Sequence, residues 1–270
     1  MNHSPRFSII TVNLNNILGL LKTIENVVSQ IFTDYEHIII DGGSTDGSVE
    51  VIQEFADKIT YWVSEADKGI YNAMNKGIDV AKGDFICFLN SGDEFFSKYS
   101  LHLLAGNITD SKAELFFGNF ITINEITGKT IYWDVSYVRD RSDLLPHTFL
   151  HNATFYSRNL FERIGRFNER FKICADLDWY MNAMINYQVS FQIIPVLLSV
   201  FNGGRGISSV QMDLHKYERA VLFQKYFSGF EIALFSGRTY QRLKKTLLFK
   251  FIFQLFFRLK LNKQKRPTFH

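Results

Sequence analysis

Four short apolar runs, each closed by polar residues and followed by helical spacing or a turn, leave this chain few folds to choose from. FSIITV (7–12) is rich in β-branched residues and gives way to Asn13, Asn15 and Asn16. HIIID (37–41) ends in Asp41 and a Gly-Gly pair, YWVS (61–64) runs up to Glu65, and FICFL (85–89) stops at Asn90. Runs of this composition and length read as strands. Between them, Leu18, Leu21, Ile24, Val28 and Ile31 fall near helical spacing. A second helix starts near Ser48 and carries Val49, Ile52 and Phe55, and Asn72 to Ala81 reads as a third, ended by Gly83.

Strands alternating with helices through short connections predict a right-handed βαβ series, hence an α/β fold with a mainly parallel sheet. Strands as uniformly apolar as HIII and FICFL suit a sheet covered on both faces. In such sheets ligands bind beyond the carboxyl ends of the strands. Asn13, Asp41, Glu65 and Asn90–Asp93 all sit there, so four polar strand ends are expected to converge on one crevice.

The second half is less regular. LFFGNFITI (115–123) and KTIYWDV (129–135) pair as a hairpin across NEITG, ATFYS (153–157) and SFQIIPV (190–196) read as strands, and RNLFERIG (158–165) and DWYMNAMINY (178–187) as helices. With no repeat and no low-complexity linker, residues 1–97 and 98–210 are expected to share one body, followed by a tail, 211–270. Two lone cysteines, Cys87 and Cys174, make neither a disulfide framework nor a zinc spacing, and point to a reducing, cytoplasmic setting.

Several stretches carry chemistry. DGGSTDGS (41–48) allows close backbone approach; it reads as a Gly-rich turn with Asp46 or Ser48 capping the next helix, or as a site where Asp41 accepts a base N–H or ribose hydroxyl. FLNSGDEFF (88–96) puts Asn90 and Asp93 at a strand end, with Asp93 either in a turn that begins a helix or available to a ligand. In CADLDWY (174–180) the acids are two apart, so at most one of Asp176 and Asp178 faces the crevice. FNGGRGISS (201–209) is a flexible loop or a lid whose amides and Arg205 meet a diphosphate.

Taken in order, TVNLNN, QIFTDYEHIIIDGGSTDGS, SEADKGIYNAMNKGI, AKGDFICFLNSGDEFF, HNATFYSRNLFERIGRFNERF and ADLDWY resemble the inverting family 2 glycosyltransferases of bacterial surface-polysaccharide synthesis, over residues 5–210. The resemblance implies a GT-A fold and a nucleotide-sugar donor lying across the strand ends. Thr11 and Asn13 would line the base pocket, Asp41 would pair with base or ribose, and Glu65, Asp67 and Lys68 would lie beside the nucleotide. Asn90–Asp93 stands where the family has a metal-binding D-x-D-D segment, with Asn90 and Gly92 replacing the first two carboxylates and Asp93 retained. Asp93 would then bind Mg²⁺ or Mn²⁺, a hard cation able to take phosphate and water ligands as well. His151 matches a histidine near the donor or acceptor site, His147 matches less well, and Asp176 matches the general base, with Ala175 in place of the usual Glu.

The charge is lopsided. Ten of the 30 basic residues follow Glu231, where no acid occurs, leaving 20 basic against 27 acidic residues upstream. KKTLLFKFIFQLFFRLKLNKQKR (244–266) is too short an apolar run to span a membrane. As a helix it sets Lys250, Gln254 and Arg258 on one stripe among Leu, Ile and Phe, the pattern of a helix lying in a membrane surface; packing on the body is the other reading. Basic residues interleaved with continuous apolar mass argue against nucleic acid. The expectation is an inverting transferase that uses a nucleotide sugar, UDP-linked, and a glycan or lipid-linked acceptor, peripheral on the inner face of the cell membrane. A non-catalytic nucleotide-sugar-binding protein and a nucleotidyltransferase stay open, and the pattern specifies no oligomeric state.

Overall fold

The computed structural model describes residues 4–136, 138, 151–203 and 210–227. His147, Arg205 and the tail helix expected over 239–266 lie outside the described residues.

The first half follows the strand–helix alternation. β1 (Phe7–Asn13), β2 (Tyr35–Asp41), β3 (Tyr61–Ser64) and β4 (Phe85–Phe88) pair in parallel in the order β3-β2-β1-β4, with α1 (Ile17–Val28), α2 (Ser48–Glu54) and α3 (Ile70–Val80) between them. The apolar residues of these strands serve two covered faces: in β2, Ile38 and Ile40 join the cluster under α3, while Ile39 joins Leu20, Ile24, Val51 and Ile52 under α1 and α2. α1 begins at Asn16, whose side chain accepts the Gly19 N–H, and buries Leu20, Thr23, Ile24 and Val27 at helical spacing. Of the expected stripe Leu18, Leu21, Ile24, Val28 and Ile31, Ile24 is buried and Leu21 and Val28 pack against the core, while Leu18 is 79% exposed and Ile31 lies past the helix end.

The second half adds antiparallel pairs. β5 (Glu94–Phe95) and α4 (Ser100–Ile108) come next; then β6 (Leu115–Asn124) and β7 (Thr130–Trp133) form the expected hairpin. A 3-10 turn, His151–Ala153, leads into β8 (Thr154–Ser157), which is antiparallel to both β4 and β6 and so sews the two halves together. α5 (Arg158–Ile164) and α6 (Ala175–Ile185) follow. β9 (Phe191–Gly203) runs parallel to β6, past Val196 and into the Gly-rich stretch, where Val200 and Ser199 pair with β5.

α7 (Met212–Tyr226) corrects the boundary drawn at residue 210. Its Leu222 and Tyr226, with Phe227, pack in the same core as Leu177, Trp179 and Tyr180 of α6, so this helix belongs to the body and not to a separate tail. Among the described residues no helix is long and apolar enough to cross a membrane.

Candidate functional site

The ends of β1, β2 and β3 close into one polar knot. Asp41 is fully buried, and its two oxygens accept five hydrogen bonds: Asn13 Nδ2 at 2.8 Å, Ser44 Oγ at 2.6 Å, Ser44 N at 2.9 Å, Gly43 N at 3.1 Å and Ser64 Oγ at 2.6 Å. Burial raises its pKa, but the bonds from Ser44, Ser64 and Asn13 outweigh that and hold it below the ordinary value. Asp41 thereby organises Asn13 and the 43–44 turn. Thr11 is fully buried, with its hydroxyl 3.0 Å from His37 Nε2.

Asp46 ties two helix starts together. Oδ1 accepts Ser48 N–H and Oγ–H at α2, and Oδ2 accepts the first N–H of α1 at Ile17. Asp67 bonds Gly69 N at 2.8 Å and lies against Gly42, where an added Cβ would stand 2.5 Å from its Oδ2. Glu65 pairs with Lys76 at 2.7 Å. The exposed Lys68 receives Lys172 Nζ on its carbonyl at 3.1 Å.

The turn after β4 is shaped by Gly92, at φ 100°, and held by Thr23, whose hydroxyl donates to Asp93 O (2.8 Å) and accepts from Gly92 N (2.9 Å). From β9, Asn202 Nδ2 donates to Gly92 O at 2.7 Å. This turn seals the Asp93 side chain at 5% exposure with Oδ2 unpartnered, and burial pushes its carboxyl up to about 8. Asn90 Oδ1 is likewise buried without a partner.

His151 spans the gap to the second half. Its Nε2 meets Asn90 Nδ2 at 2.8 Å and stands 3.9 Å from Asp93 Oδ2; its Nδ1 stands 4.0 Å from Asp176 Oδ2. An amide donating to Nε2 places the ring proton on Nδ1, towards Asp176. Burial lowers the His151 pKa against the opposing pull of Asp176, which keeps the imidazole neutral. Asp176, in the first turn of α6, is 20% exposed; Oδ1 accepts Tyr71 Oη at 2.9 Å and Leu177 N at 2.8 Å, and Oδ2 takes no hydrogen bond among the described residues.

Only one of the two acids of ADLD faces this cluster, as the i, i+2 spacing predicts. The other does not face solvent. Asp178 is buried, accepting Lys225 Nζ at 2.6 Å and Tyr226 Oη at 2.7 Å from α7. Glu218, also buried on α7, accepts the N–H groups of Lys172, Ile173 and Cys174 at 2.7–2.9 Å, just before α6. Neither α7 contact nor the Tyr71–Asp176 contact was readable from the sequence. Their partners lie more than 40 positions away in the chain.

The sequence pattern of Glycosyl transferase family 2 matches residues 8–165, more than half of the chain, which shows that the chain belongs to that family. A PGL/p-HBAD biosynthesis glycosyltransferase of Mycobacterium tuberculosis is 29% identical over 214 residues, 78% of this chain and 82% of that protein. Residues 1–349 of Staphylococcus aureus TarS, solved with UDP-GlcNAc, superpose with a TM-score of 0.66 at 19% identity, covering 90% of this chain and 76% of that one. The Pyrobaculum calidifontis mannosyltransferase PcManGT, solved with GDP-Man and Mn²⁺, gives 0.63 at 16%, covering 83% and 64%. At these identities the two structures show the shared fold, a curled mixed sheet flanked by helices of the GT-A type.

Proposed function

Starting from a chain that is a family 2 glycosyltransferase, we propose that it moves a sugar from a UDP-linked donor to an acceptor hydroxyl with inversion at C1. What supports this is the placement of two unlike carboxyls on either side of one neutral imidazole. Asp93 is sealed with an unpartnered oxygen; Asp176 is part-exposed with Oδ2 unengaged. Such divergent environments suit a leaving-group side and a base side.

Asp176 Oδ2 takes the acceptor's proton as the acceptor oxygen bonds to C1; the C1–O bond to the diphosphate breaks opposite, and its electron pair leaves on the nucleoside diphosphate. No covalent enzyme intermediate is needed. His151 Nδ1–H faces the same oxygen across 4.0 Å. Asn13, Ser44, Asp67 and Lys68 would lie beside the nucleotide, with Asp41 holding Asn13 and Ser44.

Asn90 Oδ1 and Asp93 Oδ2 fit a hard divalent cation, being buried oxygen donors left without partners. Among the described residues no group of three or more His, Cys, Asp and Glu side chains forms a cation site, so Mg²⁺ or Mn²⁺ would be held by these two residues together with diphosphate oxygens. When bound, the ion supplies positive charge to the departing diphosphate. We read the acceptor as lipid-linked, in cell-surface polysaccharide synthesis, with the basic, apolar tail resting on the inner face of the membrane and Arg205 near the diphosphate.

The deciding experiment is Asp176→Asn, nearly isosteric but unable to take the proton. Turnover falls roughly 10²–10⁴-fold while nucleotide binding, read by thermal shift, is kept. If Asp178→Asn is crippled and Asp176→Asn is not, the assignment of the base is wrong.

A further inference from the structure

The Asp176 carboxylate has two oxygens in different situations, and the difference is imposed from α3. Oδ1 is filled by Leu177 N and Tyr71 Oη, while Oδ2 carries no hydrogen bond among the described residues. Tyr71 is itself fixed. It is 6% exposed, its ring packs against Phe167 at 5.7 Å, and its hydroxyl lies between Asp176 Oδ1 (2.9 Å) and Ile173 O (2.6 Å). Ile173 in turn belongs to the stretch whose N–H groups bind Glu218. Burial, reinforced by the neighbouring Asp176, raises the phenol pKa far above 10, so the hydroxyl stays a donor.

The geometry points to Tyr71 as a positioning residue: by occupying Asp176 Oδ1 it fixes the carboxylate's rotation and leaves Oδ2 as the oxygen that receives the acceptor's proton. This rests on the reading of Asp176 as the base and deepens it. A carboxylate free to rotate would present either oxygen, and misorientation of a base by an ångström or less is costly in rate. One phenol proton faces two acceptors, and the carbonyl is the nearer. The carboxylate is charged and the stronger acceptor, so the proton is shared and both contacts are lost together in Tyr71→Phe.

The test uses the full chain and two readouts. Turnover is nucleoside diphosphate release from whichever of UDP-N-acetylglucosamine, UDP-glucose and GDP-mannose the wild type consumes fastest. Tyr71→Phe should lower kcat roughly 10- to 100-fold, the range for a hydrogen bond to a charged group, with donor KM within about twofold, since catalysis and not binding is what the contact serves. In an Asp176→Asn background the same change should cost under about threefold, because the oxygen being oriented no longer accepts a proton. Thermal unfolding of the four proteins gives a second cycle without any substrate, and a non-additive result there shows that the phenol bonds Asp176 and not Ile173 alone. Wild-type kcat in Tyr71→Phe, an equal loss in both backgrounds, or strictly additive melting shifts would overturn the proposal. An active Asp176→Asn would instead remove the base reading on which it stands, so the two failures are told apart.

Discussion

Asp93→Asn is expected to make the metal-free protein more stable while disabling it. The ordinary carboxyl value is 3.8, and in the folded protein burial lifts it to about 8. The folded state therefore holds a proton that the unfolded chain gives up across that whole interval. The stability associated with this group is fully present below pH 4 and is lost progressively as pH rises to 8. At pH 7 the gap is about three units, and at 1.36 kcal/mol per unit that is a penalty of about 4 kcal/mol. The side chain is 5% exposed, so solvent screening does little to reduce it. Asparagine keeps the shape and removes the ionisation. For a domain of this size ~1 kcal/mol moves the melting temperature by about 2–4 °C, so a rise of several degrees is expected at pH 7 in EDTA. The rise should shrink towards pH 5 and widen towards pH 8. Scanning fluorimetry of both proteins across that range measures it. Equal or lower melting of Asp93→Asn at pH 7–8, or a difference that narrows with rising pH, would refute the reasoning. Adding UDP and Mn²⁺ should narrow or reverse the difference, because only the wild type then offers the ion the Asp93 carboxylate.

Other perturbations separate scaffold from chemistry. Asp178→Asn leaves Lys225 and Tyr226 without their carboxylate and should cost about 1–3 kcal/mol of stability, read by urea unfolding, with nucleotide affinity unchanged. Glu218→Ala strips the partners from three N–H groups ahead of α6 and should lower both melting temperature and turnover. A chain ending at residue 227 should stay folded and bind nucleotide, since α7 is retained. Its binding to anionic vesicles should be lost, while that of the full chain weakens with salt without vanishing because an apolar component persists.

The sheet was legible where burial is two-sided and local, as in β1, β2 and β4, through Ile9 and Ile10, the run 38–40 and the run 85–88. It was not legible at β5, two residues long and defined only by its partner Val200, nor in the full length of β9, whose last residues are held by β6 and β5 rather than by their own pattern. The site divided the same way. Position at a strand end marked Asn13, Asn90 and Asp93, but nothing local says that Thr11 points into a covered face or that Asp41 is saturated by the turn it starts. Contacts between residues 71, 151 and 176 join three separate parts of the chain, so only the fold could place them.

The bend at Gly92 also bears on how this site could change over generations. An aspartate at 90 would enter an ordinary backbone and needs a single replacement. An aspartate at 92 would meet φ 100°, which L-residues avoid at a cost of about 1–3 kcal/mol; room is not the obstacle, as the nearest atom to a Cβ there is Asn16 Nδ2 at 3.6 Å. Placing a carboxylate at 90 is thus a short step, and placing one at 92 requires the turn itself to be rebuilt. Two positions that look alike in the sequence differ in what they could accept.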